Sequence, residues 1–148
     1  MNLLVDTNVL LRLVQRDHLL HPSARSAILQ LRQQKHSLYV VSQNCVEFWN
    51  VATRPANRNG LGLSITFAEY RLRLVERLFV RLPDRPSVYD TWRRIVNQYD
   101  VSGVQVHDAR LVAAMKENDL THILTFNLQD FLRFTPEQIV VVDPQTFL

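Results

Sequence analysis

Apolar residues occur in this chain both as short unbroken runs and as sets at helical spacing, and the two patterns alternate. Leu3, Leu4 and Val5 form a run that ends at Asp6, and the apolar positions from Val9 to Val14 recur at helical spacing, which predicts strand, turn, helix. His21 and Pro22 open a second helix with Ala24, Ala27, Ile28 and Leu31 as its buried face, ending near Gln34. Leu38 to Val41 predicts a strand, and Ser42 is placed to cap a helix running to about Thr53. Arg54, Pro55 and the Asn-Arg-Asn-Gly-Leu-Gly stretch ending at Gly62 predict a loop.

Thr66 and Glu69 have the spacing of a capping box, so a helix is expected to Leu78 with Phe67, Tyr70, Leu74 and Leu78 along its apolar face. Ser87 and Asp90 repeat the signal ahead of Trp92, Ile95, Val96 and Tyr99. A further helix is expected to begin at Asp108 and to bury Ala109, Val112, Ala113 and Met115. Ile123 to Phe126 and Ile139 to Val142 are continuous apolar runs, the pattern of strands covered on both faces. Strands separated by helices, with no hairpin dipeptide between them, predict an α/β fold in three layers: a mostly parallel sheet flanked by helices. No repeat, low-complexity stretch or linker divides the chain, so residues 1–148 are expected to form a single domain, with the middle helices as an insertion on one face.

A chain of 148 residues that is 47% hydrophobic and 21% charged can build a core without a disulfide or a structural metal. Cys45 is the only cysteine, which suits a reducing compartment and reads as a small buried thiol. The five histidines show no zinc-site spacing. The start of the chain lacks the basic and apolar regions of a secretion signal, and nowhere do about 18 apolar residues run together, so a cytoplasmic protein with no membrane role is expected.

Charge changes the picture more. Between Arg54 and Arg94 there are nine arginines against four acids, a local net of +5, while the chain as a whole carries +3. Guanidinium groups bind phosphate through two parallel hydrogen bonds, so a polyanionic partner is plausible, with Arg54, Arg58, Arg71, Arg73 and Arg77 as candidate RNA contacts. The alternative is a set of solvated helix faces.

In an open parallel sheet ligands bind beyond the carboxyl ends of the strands, and the residues expected there are acidic or polar. Asp6 ends the first strand, Glu47 lies early in the helix after the second, Asp108 starts a later helix, and Asn127 and Asp130 follow the Ile123 to Phe126 run. Carboxylates gathered in one pocket repel one another unless a cation neutralises them, and such oxygen-rich sites select Mg²⁺ or Mn²⁺. Ions held this way polarise a phosphodiester and activate water. Each residue also has a structural reading. Asp6 and Asp108 stand where helix caps belong, Glu47 shares a polar stripe with Gln43, Asn50 and Arg54 that looks solvated, and Asn127 and Asp130 suit a turn.

Leu3 to Leu10 resembles the opening motif of the PIN-domain family, an apolar strand delivering an aspartate followed by Thr or Ser and a small polar residue. Ser42 to Trp49, with Glu47 between apolar positions, resembles the second motif; Val106-His107-Asp108-Ala109 resembles the third; Leu124 to Phe131 resembles the fourth. The resemblance implies Mg²⁺ or Mn²⁺ bound by Asp6, Glu47 and Asp108, with Asp130 as a further catalytic carboxylate and Thr7, Asn8 and Asn127 in support. It also implies hydrolysis of RNA by a toxin of the VapC type, a homodimer silenced by an antitoxin protein. Asn127 stands where many relatives have Asp, and Asp130 supplies a carboxylate three residues later, which leaves the fourth position open between them. The stretch from Phe67 to Tyr99 is the candidate dimer or antitoxin surface.

Two other readings compete. Phosphatases of the haloacid dehalogenase type also place Asp after the first strand but need a second acid two residues on, where this chain has Asn8. A catalytically silent RNA- or protein-binding module on the same fold is the other.

Overall fold

The computed structural model describes all of residues 1–148. Five strands form one sheet: β1 (Asn2–Val5), β2 (Ser37–Val40), β3 (Val80–Arg81), β4 (His122–Leu124) and β5 (Val140–Val142). Their order is β3-β2-β1-β4-β5, and every neighbouring pair is parallel. Seven helices connect them: α1 (Thr7–Val14), α2 (His21–Gln33), α3 (Ser42–Thr53), α4 (Ile65–Leu78), α5 (Ser87–Gln98), α6 (Val106–Glu117) and α7 (Leu128–Leu132). The expected α/β class and three-layer arrangement are present.

Alternation of side chains along β1 explains its unbroken apolar sequence. Leu3 and Val5 enter a core shared with α1, α2, α3 and α4, while Leu4 enters a second core with α5, α6 and α7, and all three are fully buried. Burying one such side chain contributes about 2 kcal/mol, so a polar residue on either face of β1 is costly.

Three expectations about the middle of the chain are corrected. The helices there are not an insertion on one face: α4 supplies Ala68 and Val75 to the first core and α5 supplies Val88 and Ile95 to the second, the two-residue strand β3 carrying the chain across the sheet edge between them. The apolar face read for α4 is also not its buried one. Phe67 and Tyr70 are 62% and 59% exposed and Leu78 is exposed as well, because the helix turns the small Ala68, with Val75, toward α3. Its cap is Ser64, whose hydroxyl accepts from the Phe67 N–H, rather than Thr66.

Caps elsewhere differ similarly. Val41 rather than Ser42 precedes α3, and the Asn44 side chain reaches back to accept from the Val41 N–H at 2.9 Å. Helix α6 begins two residues before Asp108, with Gln105 at the cap position, so Asp108 lies in the first turn. Asp6 does cap α1, accepting from the Thr7 N–H.

Candidate active site

The order β2-β1-β4 makes the chain leave β1 toward one side of the sheet and return later on the other, which opens a crevice at the carboxyl ends of these central strands. A cavity of about 660 Å³ lies there. Asp6, Thr7 and Asn8 border it from the end of β1 and the start of α1, Glu47 from α3, Asp108 from α6, and Asn127 and Asp130 from the start of α7. All the carboxylates expected from the sequence therefore meet in one place, and both contenders for the fourth position line it.

The Asp6 carboxylate is held at both oxygens. Oδ1 accepts from the Thr7 N–H at 2.7 Å; Oδ2 accepts from the Thr125 hydroxyl at 2.7 Å and from Asn8 Nδ2 at 3.0 Å. Asn8 also accepts from the Phe126 N–H, so it ties the end of β1 to the end of β4. Glu47 is fixed by neutral donors: Thr7 Oγ1 donates to Oε2 at 2.8 Å and Gln43 Nε2 to Oε1 at 2.7 Å. The same Gln43 amide donates to the His107 carbonyl and accepts from Arg110, which locks the orientation of Glu47 relative to the first turn of α6.

Electrostatics follow from burial. Removal from water pushes the Asp6 carboxyl up to about 6, against hydrogen bonds from Thr125 and Thr7 that lower it, with repulsion from Glu47 and Asp130 adding to the rise. Burial likewise pushes Asp108 up to about 7, reinforced by Asp6, Asp130 and Glu47. Asp130 is thus close enough to be felt by both.

Every group that would hold an ion offers oxygen, the donor a hard divalent cation takes, and the crowding that raises Asp6 and Asp108 is the crowding a cation relieves. No three acidic or imidazole groups stand in a ready-made cation cluster, and Asp6 and Glu47 are engaged by the donors just described. The residue set nevertheless fits such an ion by its chemistry.

The polar stripe of α3 that reads as solvated is the wall of this cavity: Gln43, Glu47, Asn50 and Arg54 all border it. Arg54 Nε is buried without a hydrogen-bond partner. Of the other arginines proposed for RNA, Arg58 lies in the exposed 3-10 turn Ala56–Arg58, while Arg71, Arg73 and Arg77 lie on α4, Arg73 pairing with Glu69 at 3.0 Å. None of these four borders the cavity. Sequence reasoning missed Thr125 and Gln43. Thr125 sits inside the Ile123 to Phe126 run read as a strand, but β4 ends at Leu124, so Thr125 follows β4 as Asp6 follows β1; Gln43 precedes Glu47 by one helical turn.

Arg54 is held in place by the loop behind it, which folds back so that the Gly62 N–H bonds the Arg54 carbonyl at 2.8 Å and the Leu61 N–H bonds that of Val51. A Cβ on Gly60 would meet the Arg54 carbonyl oxygen at 2.0 Å. Gly60→Ala is expected to shift this loop and destabilise the fold by about 1 to 3 kcal/mol. A thermal melt that matches the wild type would show that the loop accommodates the methyl group.

Solved structures with the same fold include VapBC-1 from nontypeable Haemophilus influenzae, with a TM-score of 0.71 and 14% identity over 97% of this chain and 98% of that one. VapBC2 from Rickettsia felis, bound to a DNA fragment from its promoter, gives 0.73 and 10% over 97% and 98%. A toxin-antitoxin complex from Klebsiella pneumoniae gives 0.63 and 18% over 95% and 96%. No curated protein matches by sequence. The family model described as PIN domain matches residues 3–135, a span that takes in every element bordering the cavity, and on that match the chain belongs to the PIN-domain family.

Proposed function

We propose that this chain is a ribonuclease dependent on Mg²⁺ or Mn²⁺, and that it is the toxin of a toxin-antitoxin pair. The observation that carries the reading is the meeting of Asp6, Glu47, Asp108 and Asp130 in one cavity, with Asp6 and Asp108 raised toward neutrality by burial and mutual repulsion. When bound, the cation supplies charge that stabilises the oxygens of a phosphodiester and lowers the cost of deprotonating water. Asp6, Glu47 and Asp108 are the residues that would hold it. Thr7 and Gln43 keep the Glu47 carboxylate in one orientation, and Asn8 and Thr125 do the same for Asp6. Asp130 adds a fourth carboxylate to the cavity, Asn127 adds a neutral amide, and the Arg54 guanidinium at the wall offers donors to a substrate phosphate.

The toxin assignment draws on the fold shared with VapBC-1, VapBC2 and the toxin-antitoxin complex from Klebsiella pneumoniae. We place the contact with an antitoxin, or with a second copy in a homodimer, on the apolar side of α4, where Phe67 and Tyr70 are mostly exposed. No helix is long and apolar enough to cross a membrane.

The test compares cleavage of a mixed RNA pool by the wild type and by Asp6→Ala, each with Mg²⁺, with Mn²⁺ and with chelator. Cleavage that needs both cation and Asp6 is expected. A folded wild type that binds cation but cuts nothing would favour the silent RNA- or protein-binding module instead.

A further inference from the structure

A second hollow, of about 390 Å³, lies beside the acidic cavity and is lined by Arg85, Pro86, Val88, Tyr89, Trp92 and Arg110. Its volume falls in the range of small-ligand pockets, about 300 to 1,000 Å³. The rings of Tyr89 and Trp92, with centroids 5.9 Å apart and planes tilted by 35°, form an aromatic wall. Tyr89 is 60% exposed, whereas Trp92 is anchored, its indole N–H donating to the Val106 carbonyl at 2.9 Å. Arg85 and Arg110 place guanidinium groups beside this wall, bonded only to the neutral amides of Asn118 and Gln43, and no acidic residue lines the hollow.

The two openings share a partition. Gln43 borders the acidic cavity, Arg110 borders the hollow, and the two side chains are hydrogen-bonded at 2.8 Å. The start of α6 serves both sides: Asp108 borders the cavity, Arg110 borders the hollow, and the Val106 carbonyl holds Trp92.

We infer that this hollow is a nucleobase subsite, taking one unpaired base of the strand whose scissile phosphate lies at the carboxylates. The inference rests on the nuclease reading and deepens it by giving one base of the substrate strand a place in the fold. A base offers a flat π-face to Tyr89 and Trp92, and its flanking phosphates offer the salt-bridge partner that neither Arg85 nor Arg110 has within the chain, although Arg85 lies near Glu117. A base inside a duplex keeps its faces stacked on its neighbours and cannot reach the wall. An apolar peptide side chain would cover the rings but leave both guanidinium groups unanswered.

The experiment titrates the full-length protein, with chelator so that the strand stays whole, against a fluorescent single-stranded oligoribonucleotide of about eight residues. A second probe has the same length and charge but carries abasic riboses. Tyr89→Ala is expected to weaken binding of the base-bearing strand about tenfold, the scale of one lost stacking contact, and to leave the abasic strand unchanged. Tyr89→Phe should restore the wild-type value. Arg85→Ala and Arg110→Ala should weaken both probes and each reduce the slope of affinity against salt by about one.

Equal affinity of wild type and Tyr89→Ala for the base-bearing strand would overturn the subsite, as would a loss shared equally by the two probes. A Tyr89→Ala variant that changed the sedimenting species while binding RNA normally would assign the hollow to a protein contact. If cation- and Asp6-dependent cleavage persists in those cases, only the subsite falls. If the wild type neither binds the oligomers nor cuts RNA, the nuclease reading falls with it.

Discussion

Asp108→Asn is expected to abolish cation-dependent RNA cleavage, by a factor of about 10³ or more, in a protein that stays folded. The asparagine matches aspartate in shape and keeps one oxygen, but it carries no charge to set against a divalent ion, and losing about 4 kcal/mol of such stabilisation in the transition state corresponds to that factor. Retention of the fold follows from what surrounds the residue. Asp108 lies in the first turn of α6, and the causes of its raised pKa are burial and neighbouring charge alone, with no hydrogen bond among them. Asp6 differs: its oxygens receive the Thr7 N–H, Asn8 and Thr125, so an amide there would turn an N–H toward donors and disturb the joint between β1 and β4. Cleavage of a mixed RNA pool, beside a thermal melt, checks the expectation. Full activity in Asp108→Asn would remove Asp108 from the site.

The second large effect is on stability. Asp6 titrates near 6 and Asp108 near 7 in the folded chain, against 3.8 for an ordinary aspartate. Their folded-state values are raised, so between about pH 4 and pH 7 the folded protein holds more protons than the unfolded one, and stability is lost as pH rises through that window. The loss is of the order of 3 kcal/mol rather than the sum of both shifts, because the two acids share the same repulsion and Asp108 keeps some solvent. In a chain of this size that is about 10 °C in melting temperature. Glu137 works in the opposite sense. Arg94, Lys116 and Tyr99 hold its carboxyl down to about 2, so its contribution is present above its ordinary range and lost only in strong acid.

Comparing wild type with Asp108→Asn cancels Glu137 and the histidines. The expected outcome is that the variant melts higher than the cation-free wild type at pH 7.5 and that the gap closes toward pH 4. Mg²⁺ or Mn²⁺ should stabilise the wild type increasingly over the same window, since proton and cation compete for the same oxygens. A gap independent of pH would mean that the carboxylates are not strained in the cation-free protein.

Much of this was legible in the order of residues. Leu3-Leu4-Val5 and Ile123-Leu124 are apolar at every position because both faces of a parallel strand are covered, and that is enough to predict the sheet and its flanking helices. Asp6, Glu47, Asp108, Asn127 and Asp130 were each placed near a strand end or helix start by counting along the chain. The same local reasoning failed for α4. The larger apolar residues Phe67 and Tyr70 appear to a periodicity argument as a core face, yet Ala68 and Val75 are what α3 and the sheet accept. Periodicity measures which residues share a face, while the space left by neighbouring elements decides which face is covered.

Local patterning along the chain is enough to establish an α/β fold with a mostly parallel sheet and acids after its strands. That the polar stripe Gln43, Glu47, Asn50 and Arg54 borders a cavity rather than bulk solvent follows from the packing of the elements in three dimensions. That packing alone brought Thr125 against Asp6 across 119 positions and Gln43 against Arg110 across 67. Those pairings depend on which strands lie side by side and on how α3 meets α6, and a chain pattern carries no information about groups that become neighbours only when the layers close.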